Sequence, residues 1–237
     1  MKPADLSALS AEDFQQGQLL LVDKPLGWTS FDAVHKIRFL IRHRYGLKKI
    51  KVGHAGTLDP LATGLLLICT GRFTKRIAEL TGADKCYTGS MVLGATTPSY
   101  DLETEVGEVQ DTDHLSAEDV SRAAAAMLGS SMQVPPQYSA KLVDGKRAYL
   151  SARVGKKVDI PARAIELYRF EVECQELPRV DFDICCSTGT YIRAIARDLG
   201  EALGCGAHLS SLRRHSVAEY EVKDALSIPD IEAALQP

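Results

Sequence analysis

The amino-acid sequence predicts one domain of catalytic size with an α+β or mixed-sheet fold. Short apolar runs and helical patterns alternate irregularly along the chain, which favours a mixed arrangement over a repeating one. The chain has 237 residues, of which 45% are hydrophobic and 25% charged, enough to bury a substantial core and too apolar for disorder. We find no internal repeat, no low-complexity tract and no convincing linker, which indicates a single folded domain.

The first half of the chain begins with a short buried strand and a capped helix. Leu19–Val22 is an apolar run that ends in a Pro/Gly turn. Thr29 is placed to cap a helix, with Asp32 in its first turn, and the helix should end near Gly46. The elements expected after it are a buried strand at 65–69, a short helix at 74–80 and a strand at 85–93.

The second half is expected to open with an alanine-rich helix and to end with a helix. Pro135 and Pro136 require an extended loop over 133–138. Thr188–Thr190 should cap a helix that runs to about Leu203. The elements expected around these are a helix at 117–128, strands at 165–172, 180–186 and 217–222, and a helix at 228–235.

The composition excludes several classes of protein. The N-terminus has no basic head followed by an apolar stretch, so no signal or transit peptide is expected. The apolar runs are too short to span a bilayer, so no membrane partner is expected. Six cysteines without a Cys-x-x-Cys pair predict reduced buried thiols in a cytosolic protein, with no metal site, and the expected location is the cytoplasm.

Charge is distributed unevenly, although the net charge is only −3. Residues 33–58 contain seven Lys or Arg, three His and no acid, whereas residues 101–119 contain eight acids and no Lys or Arg. A separate basic segment of this kind can steer a polyanion to one face of a protein. Ordinary solvated surface explains the two segments equally well at this point.

The glycine-rich run 53–64 is the most informative part of the chain, because it passes directly into the apolar strand expected at 65–69. It carries one histidine, His54, and one carboxylate, Asp59, which is the only acid between Asp32 and Glu79. Gly53 and Gly56 would let other backbone or a ligand approach closely. A carboxylate so placed can act as nucleophile or general base, but spacing alone favours an aspartate that caps its own turn.

Two further segments carry residues suited to a binding site. Tyr87 lies in an expected strand with small neighbours, and Arg193 lies in the first turn of an expected helix beside Tyr191. The helix dipole opposes an arginine at that position unless an anion pairs with it. No nucleotide-binding glycine loop, nucleophile elbow or zinc motif is present in the sequence.

Taken in order, these motifs resemble the bacterial tRNA pseudouridine-55 synthases of the TruB family. The resemblance covers roughly residues 19–222 and replaces the turn interpretation of Asp59. The motifs that carry it are Lys24-Pro25 with Gly27, Thr29 and Ser30; Gly53 to Gly64; Lys85-x-Tyr87; Pro135 to Lys141; Gly145 to Tyr149 with Ala152-Arg153; Gly189 to Arg193; and Leu212-Arg213-Arg214.

The resemblance implies the pseudouridine synthase fold, a mixed and mostly antiparallel central sheet flanked by helices and loops. It also implies isomerisation of uridine 55 in the tRNA T loop, without cofactor or metal. Asp59 corresponds to the nucleophile, which acts on a uridine flipped out of its stack. The remaining residues assigned by resemblance are His54, Tyr87, Tyr191, Arg193 and Leu212 for substrate binding, and Lys24, Pro25, Gly53 and Gly56 for support of the loop.

Among these, Tyr87 is expected to stack on the target base and is a candidate for removing the proton from C5. Arg193 is expected to pair with Asp59, and His54 to fill the stacking space of departing bases.

The basic segment then becomes an expected contact for RNA phosphates. The residues assigned to it are Lys36, Arg42, Lys48, Lys49 and Lys51. The expected partner is the tRNA T stem-loop, bound by a monomer with no protein partner. Residues 1–237 are expected to form one catalytic domain, without the C-terminal RNA-binding (PUA-type) domain that many relatives carry. Two alternatives stay open: a non-catalytic RNA-binding module, and a synthase acting on another RNA.

Overall fold

The computed structural model describes residues 6–143 and 145–236. Its α-helices, numbered along the chain, are α1 Ala11–Gln16, α2 Ser30–Tyr45, α3 Ile77–Thr81, α4 Ala117–Ala126, α5 Ala148–Ala152, α6 Ile192–Ala202 and α7 Ile228–Ala234. Its strands are β1 Leu19–Lys24, β2 Val52–Ala55, β3 Ala62–Thr70, β4 Lys85–Leu93, β5 Gly129–Gln133, β6 Leu142–Val143, β7 Lys146–Arg147, β8 Arg163–Glu176, β9 Arg179–Cys186, β10 Ala207–Val217, β11 Tyr220–Glu221 and β12 Leu226–Ser227.

The chain divides into two compact units. Unit 1 comprises the described residues up to Cys86 and those from Arg213 onward, and unit 2 comprises Tyr87–Leu212. The unit boundaries therefore fall within β4 and β10. A single catalytic domain over the whole chain stays a prediction.

Unit 1 is built around β3. This strand pairs antiparallel with β1 on one side and with β2 on the other, and β12 joins β1 as a parallel neighbour. Apolar side chains from these strands meet in one cluster, which includes Leu21, Leu67 and Ala55. Helix α2 contacts β2 and carries a buried stripe of Val34 and Ile37 among others. The loop 56–61 therefore connects two paired strands over a closed core.

Unit 2 contains a second group of antiparallel strands. Its neighbouring strands run in the order β4, β9, β8 and β5, and helix α4 packs on β8. Val120 and Ala124 form the buried side of that helix. Apart from the β1–β12 pair, the strand pairs described above whose direction is given are antiparallel, so the α+β prediction with a mixed, mostly antiparallel sheet is confirmed.

Most expected elements are present, with differences at their ends. The α2 prediction is confirmed in detail: Thr29 and Asp32 form a capping box, and Gly46 closes the helix in the left-handed conformation. The expected cap of α6 is wrong, since its N-cap is Tyr191 rather than a residue in 188–190. The last strand expected at 217–222 is present only as the two-residue strand β11, and β10, which starts at Ala207, already ends at Val217.

The cysteine prediction requires a correction. Cys86 and Cys185 are disulfide-bonded, so the chain does not carry six reduced thiols. The free cysteines include Cys69, where burial raises the thiol pKa to about 11 and makes it unreactive. Within residues 6–143 and 145–236, no helix has the length and apolar character needed to cross a bilayer.

Candidate active site

The loop that carries Asp59 is fixed on both sides of the carboxylate. Ser30, the first residue of α2, accepts a hydrogen bond from the Leu58 amide at 2.8 Å and donates to the Leu58 carbonyl at 3.2 Å. The Gly27 amide donates to the Pro60 carbonyl at 2.9 Å. Leu58 itself is buried, whereas Asp59 is partly exposed. The backbone on either side of Asp59 is therefore held in place.

Lys24 joins this loop to the turn that follows β1. Its side chain is fully buried, and Nζ donates to the carbonyls of Pro25 at 2.9 Å, Trp28 at 2.6 Å and Pro60 at 3.5 Å. Burial lowers the pKa of Lys24 to about 8, and the charge of Asp59 opposes that shift. A buried ammonium needs such acceptors to offset its lost hydration. Lys24 thus links the Asp59 loop to the turn after β1, and the support role expected for Lys24 and Pro25 stays a prediction.

Arg214 is a second buried cation at the same loop; it belongs to the Leu212-Arg213-Arg214 motif, but the sequence analysis assigned no role to it. Only 1% of the residue is exposed. Its guanidinium donates to the carbonyls of Leu65 at 2.8 Å, Gly56 at 3.1 Å and Thr57 at 3.5 Å. One side chain from β10 therefore binds both arms of the loop around Asp59.

The glycines of the loop are needed for this packing. A β-carbon on Gly64 would lie 2.3 Å from the Arg214 carbonyl oxygen, and Gly64 has a φ of +102°. A β-carbon on Gly53 would lie 2.8 Å from the Ile77 side chain. Gly56 adopts a φ of +88° beside the Lys85 and Arg214 side chains. The close approaches at Gly53 and Gly64 are made by the protein itself.

His54 lies on β2 at the entrance to the loop and is partly buried. Burial lowers the pKa of its imidazole, the charge of Arg214 lowers it further, and a backbone hydrogen bond with Gly56 partly offsets both effects. Its Nδ1 atom is buried without a hydrogen-bond partner among the described residues. Burial and the charge of Arg214 therefore favour the neutral form of the imidazole, and the stacking role of His54 stays a prediction.

In unit 2, Arg193 has an anionic partner that the sequence did not reveal. Arg193 is 3% exposed, and its Nε lies 3.5 Å from Oδ2 of Asp101. A second guanidinium nitrogen donates to the Ser99 carbonyl at 3.0 Å. Asp101 was assigned to a separate acidic segment, and it is instead buried. Pairing of Arg193 with Asp59 stays a prediction.

Tyr191 and the start of α6 are held by an amide side chain. The Tyr191 amide donates to Oε1 of Gln133 at 2.8 Å, and Nε2 of Gln133 donates to the Tyr191 carbonyl at 3.2 Å. Gln133 is buried, so this paired contact is shielded from water. Tyr87 is a buried residue of β4, and Leu212 is a partly buried residue of β10.

The basic residues assigned to RNA contacts have different environments. Lys36 forms an ion pair with Glu232, and Arg42 donates to the Leu47 carbonyl at 3.2 Å. Lys48, Lys49 and Lys51 are exposed. In the described part of the chain, no group of three or more His, Cys, Asp or Glu side chains is arranged to hold a metal ion.

Comparison with solved structures shows the fold. The chain aligns with a chain of the crystal structure described as a Cbf5-Nop10-Gar1 complex, at a TM-score of 0.67 and 27% identity. The alignment covers 95% of this chain and 56% of the other, so the chain spans little more than half the length of that relative.

Comparison of sequences shows the family. Residues 42–192 match the TruB family pseudouridylate synthase N-terminal domain, and residues 193–236 match the tRNA pseudouridylate synthase B C-terminal domain. The protein named tRNA pseudouridine synthase B of Flavobacterium johnsoniae is 49% identical over 229 residues, covering 96% of this chain and all of that one. The protein of the same name from Phocaeicola vulgatus is 50% identical over 217 residues, covering 91% of this chain and 92% of that one. The chain belongs to the TruB family of pseudouridylate synthases, as its motifs predicted.

Proposed function

We propose that this protein isomerises uridine 55 in the T loop of tRNA to pseudouridine, with Asp59 as the nucleophile. The observation that carries the proposal is the position of Asp59, the only acid between Asp32 and Glu79 in the chain, between the anchored residues Leu58 and Pro60 in a member of this family. Relatives that are about half identical over nearly their whole length bear the corresponding name.

The reaction rearranges bonds within one nucleoside. The bond from C1′ to N1 breaks with help from the Asp59 carboxylate, the uracil turns, and C5 bonds to C1′. C5 then loses its proton and N1 gains one, so atoms and charge balance without an oxidant, a reductant or a cofactor. Tyr87 is the candidate base for the C5 proton.

Access to the target base requires its extrusion from the folded loop, at a cost of a few kcal/mol. Stacking on an aromatic ring returns about 1–3 kcal/mol per base. We assign the neutral ring of His54 to the vacated stack, and Tyr191, Arg193 and Leu212 to the pocket for the flipped base. The exposed cations Lys48, Lys49 and Lys51 are assigned to phosphates.

We propose further that the protein works as a monomer in the cytoplasm. Support for the cytoplasm comes from the substrate, since tRNA is modified where it is made in bacteria, and the relatives compared above are bacterial.

The test is a comparison of the wild type with Asp59→Asn on unmodified tRNA, with pseudouridine mapped along the product. The amide keeps the shape of the side chain and removes its charge, so we expect product formation to fall by at least about 10³-fold. RNA binding should persist. Asp113→Asn, an exposed carboxylate in unit 2, is the matched control and should keep full activity.

Two outcomes would contradict the proposal. Pseudouridine formed by Asp59→Asn at the wild-type rate would show that the carboxylate is not the nucleophile. Pseudouridine at a position outside the T loop, or only in another RNA, would favour the alternative substrate.

A further inference from the structure

Helix α2 carries four aromatic rings in a row on its outer face. Phe31 is 63% exposed and Phe39 is 56% exposed. The Phe31 and His35 ring centroids are 6.2 Å apart, and those of Phe39 and His43 are 5.7 Å apart with ring planes inclined by 19°. Because residues four apart share a helix face, these rings form one continuous stripe.

The stripe lies opposite the packing side of the helix. Val34, Ile37 and Ile41 fill the buried side, and on an ideal helix they project roughly opposite to Phe39. The outer face of α2, as we define it, consists of its exposed residues Phe31, Asp32, His35, Phe39, Arg42 and His43. It contains no aliphatic side chain, unlike the surfaces on which helices or second protein copies usually pack. Large exposed rings in this position indicate a binding surface.

The charge around the stripe favours an anionic partner. The only acid of α2 is Asp32, and its carboxylate is taken up by the Thr29 cap. The helix carries Arg38, Arg42 and Arg44, together with Lys36, which pairs with Glu232, and the exposed Lys48, Lys49 and Lys51 follow it. Rings interleaved with cations and nearly free of acid are typical of surfaces that bind single-stranded nucleic acid.

The stripe begins at the Asp59 loop. Phe31 follows Ser30, whose hydroxyl binds both backbone groups of Leu58, the neighbour of Asp59. Phe39 lies eight residues further along α2, a distance of about 12 Å at the usual helical rise. A strand of RNA engaged at Asp59 could therefore continue along α2 within unit 1.

We propose that the outer face of α2 binds a single-stranded segment of RNA by stacking. One base stacks on the Phe31–His35 pair and another on the Phe39–His43 pair, while Arg42, Lys48 and Lys49 contact phosphates. The proposal rests on the proposed function only in taking RNA as the partner. It adds a contact to bases other than the target uridine.

The test distinguishes stacking on an aromatic ring from contact with any apolar side chain. Phe31→Leu/Phe39→Leu keeps apolar side chains without rings, and Phe31→Tyr/Phe39→Tyr keeps the rings. Binding to a labelled oligouridine is measured by fluorescence anisotropy at two salt concentrations. We expect the two leucine substitutions to raise Kd by about tenfold or more at both salt concentrations, and the two tyrosine substitutions to leave Kd near the wild-type value. Because Phe31 and Phe39 are exposed, we expect both variants to have a Tm near that of the wild type. Thermal unfolding checks that each variant is folded.

Equal Kd for the wild type and the leucine pair would overturn the proposal. So would a wild type that dimerises in sedimentation experiments while the leucine pair does not, since the stripe would then bind a second copy. Conversion of a T stem-loop at saturating RNA is followed in the same proteins. If the leucine pair loses oligouridine binding but the wild type does not convert the T stem-loop, the proposed function alone is refuted. If the wild type converts the T stem-loop normally and the leucine pair binds oligouridine with the wild-type Kd, the stripe alone is refuted.

Discussion

Arg214 is expected to have a large structural effect at the loop that carries Asp59. Its removal would leave the carbonyls of Gly56, Thr57 and Leu65 without their buried donor. Each unsatisfied buried group costs about 1–3 kcal/mol. The neighbouring Arg213 pairs with Asp23 at 2.7 Å at a partly exposed position, where an ion pair contributes at most about 1 kcal/mol.

We therefore predict that Arg214→Met lowers the free energy of unfolding by about 3 kcal/mol or more, and that Arg213→Met lowers it by less than about 1 kcal/mol. Urea unfolding measures both. Arg214→Lys should fold better than Arg214→Met and yet show a reduced kcat with little change in KM, because one ammonium cannot bind both arms of the loop. Equal losses at positions 213 and 214 would contradict this account.

The lowered pKa of Lys24 predicts that the stability of the protein depends on pH. Its pKa in the folded protein is about 8, below the ordinary lysine value of about 10.4. Between these values the unfolded chain binds more protons than the folded chain, so this residue makes the free energy of unfolding increase with pH, by about 3 kcal/mol in total.

The measurement is urea unfolding of the wild type and Lys24→Met between pH 7.5 and 10 (roughly the window set by the two pKa values). The variant should lose this increase, and Lys49→Met, which changes an exposed lysine, should retain it. The same pH dependence in all three proteins would show that Lys24 does not titrate in this range.

Sequence reasoning found some residues of the site and missed others for clear reasons. Asp59 could be identified from the sequence because no other acid lies near it in the chain. Asp101 was not, because it is one of eight acids in a segment that looks solvated. Only the fold shows that Asp101 is buried against Arg193.

At the scale of elements, β10 illustrates where pattern reading fails. Its sequence contains His208, Arg213 and Arg214, and its polar serines break the alternation expected of a buried strand. Arg214 contacts Leu65, which is 149 positions away in the chain. Local patterns cannot reveal such pairing, whereas the caps of α2 are local, and the two ends of that helix were predicted almost to the residue.

The contact between Gly64 of β3 and Arg214 of β10 gives a prediction for these elements. Gly64→Ala would place a β-carbon 2.3 Å from a backbone oxygen at a positive φ. We expect a loss of several kcal/mol, beyond the roughly 1–2 kcal/mol that the left-handed conformation alone costs. Gly46→Ala is the matched control, since it also has a positive φ and no atom within 4 Å. The measurement is thermal unfolding of the two variants. Equal decreases in Tm for Gly64→Ala and Gly46→Ala would contradict the close approach of Gly64 to the Arg214 backbone.

At the scale of the whole molecule, a slightly acidic chain has to bind a polyanion. The net charge of −3 conceals a segment of seven cations without an acid. This uneven distribution, rather than the total, sets the electrostatic attraction to RNA. The attraction weakens as the salt concentration rises, because releasing counterions into a more concentrated solution is less favourable.

We predict that log K for tRNA binding falls linearly with log salt concentration, and that replacing Lys48, Lys49 and Lys51 with glutamine reduces the slope by about 2–3. Lys36→Gln is the control, and it should change the slope less because Lys36 already pairs with Glu232. An unchanged slope in the triple variant would place the RNA phosphates elsewhere.

The central claim, attack by Asp59 on the T-loop uridine, is tested most directly by tritium release. Because C5 must lose its hydrogen when it bonds to C1′, tRNA labelled with tritium at C5 of uridine should release label to water as product forms. We predict release from the T-loop position by the wild type, close to one equivalent per tRNA, and none above background by Asp59→Asn. Equal release by the two proteins, or none by the wild type from correctly folded tRNA, would contradict the account.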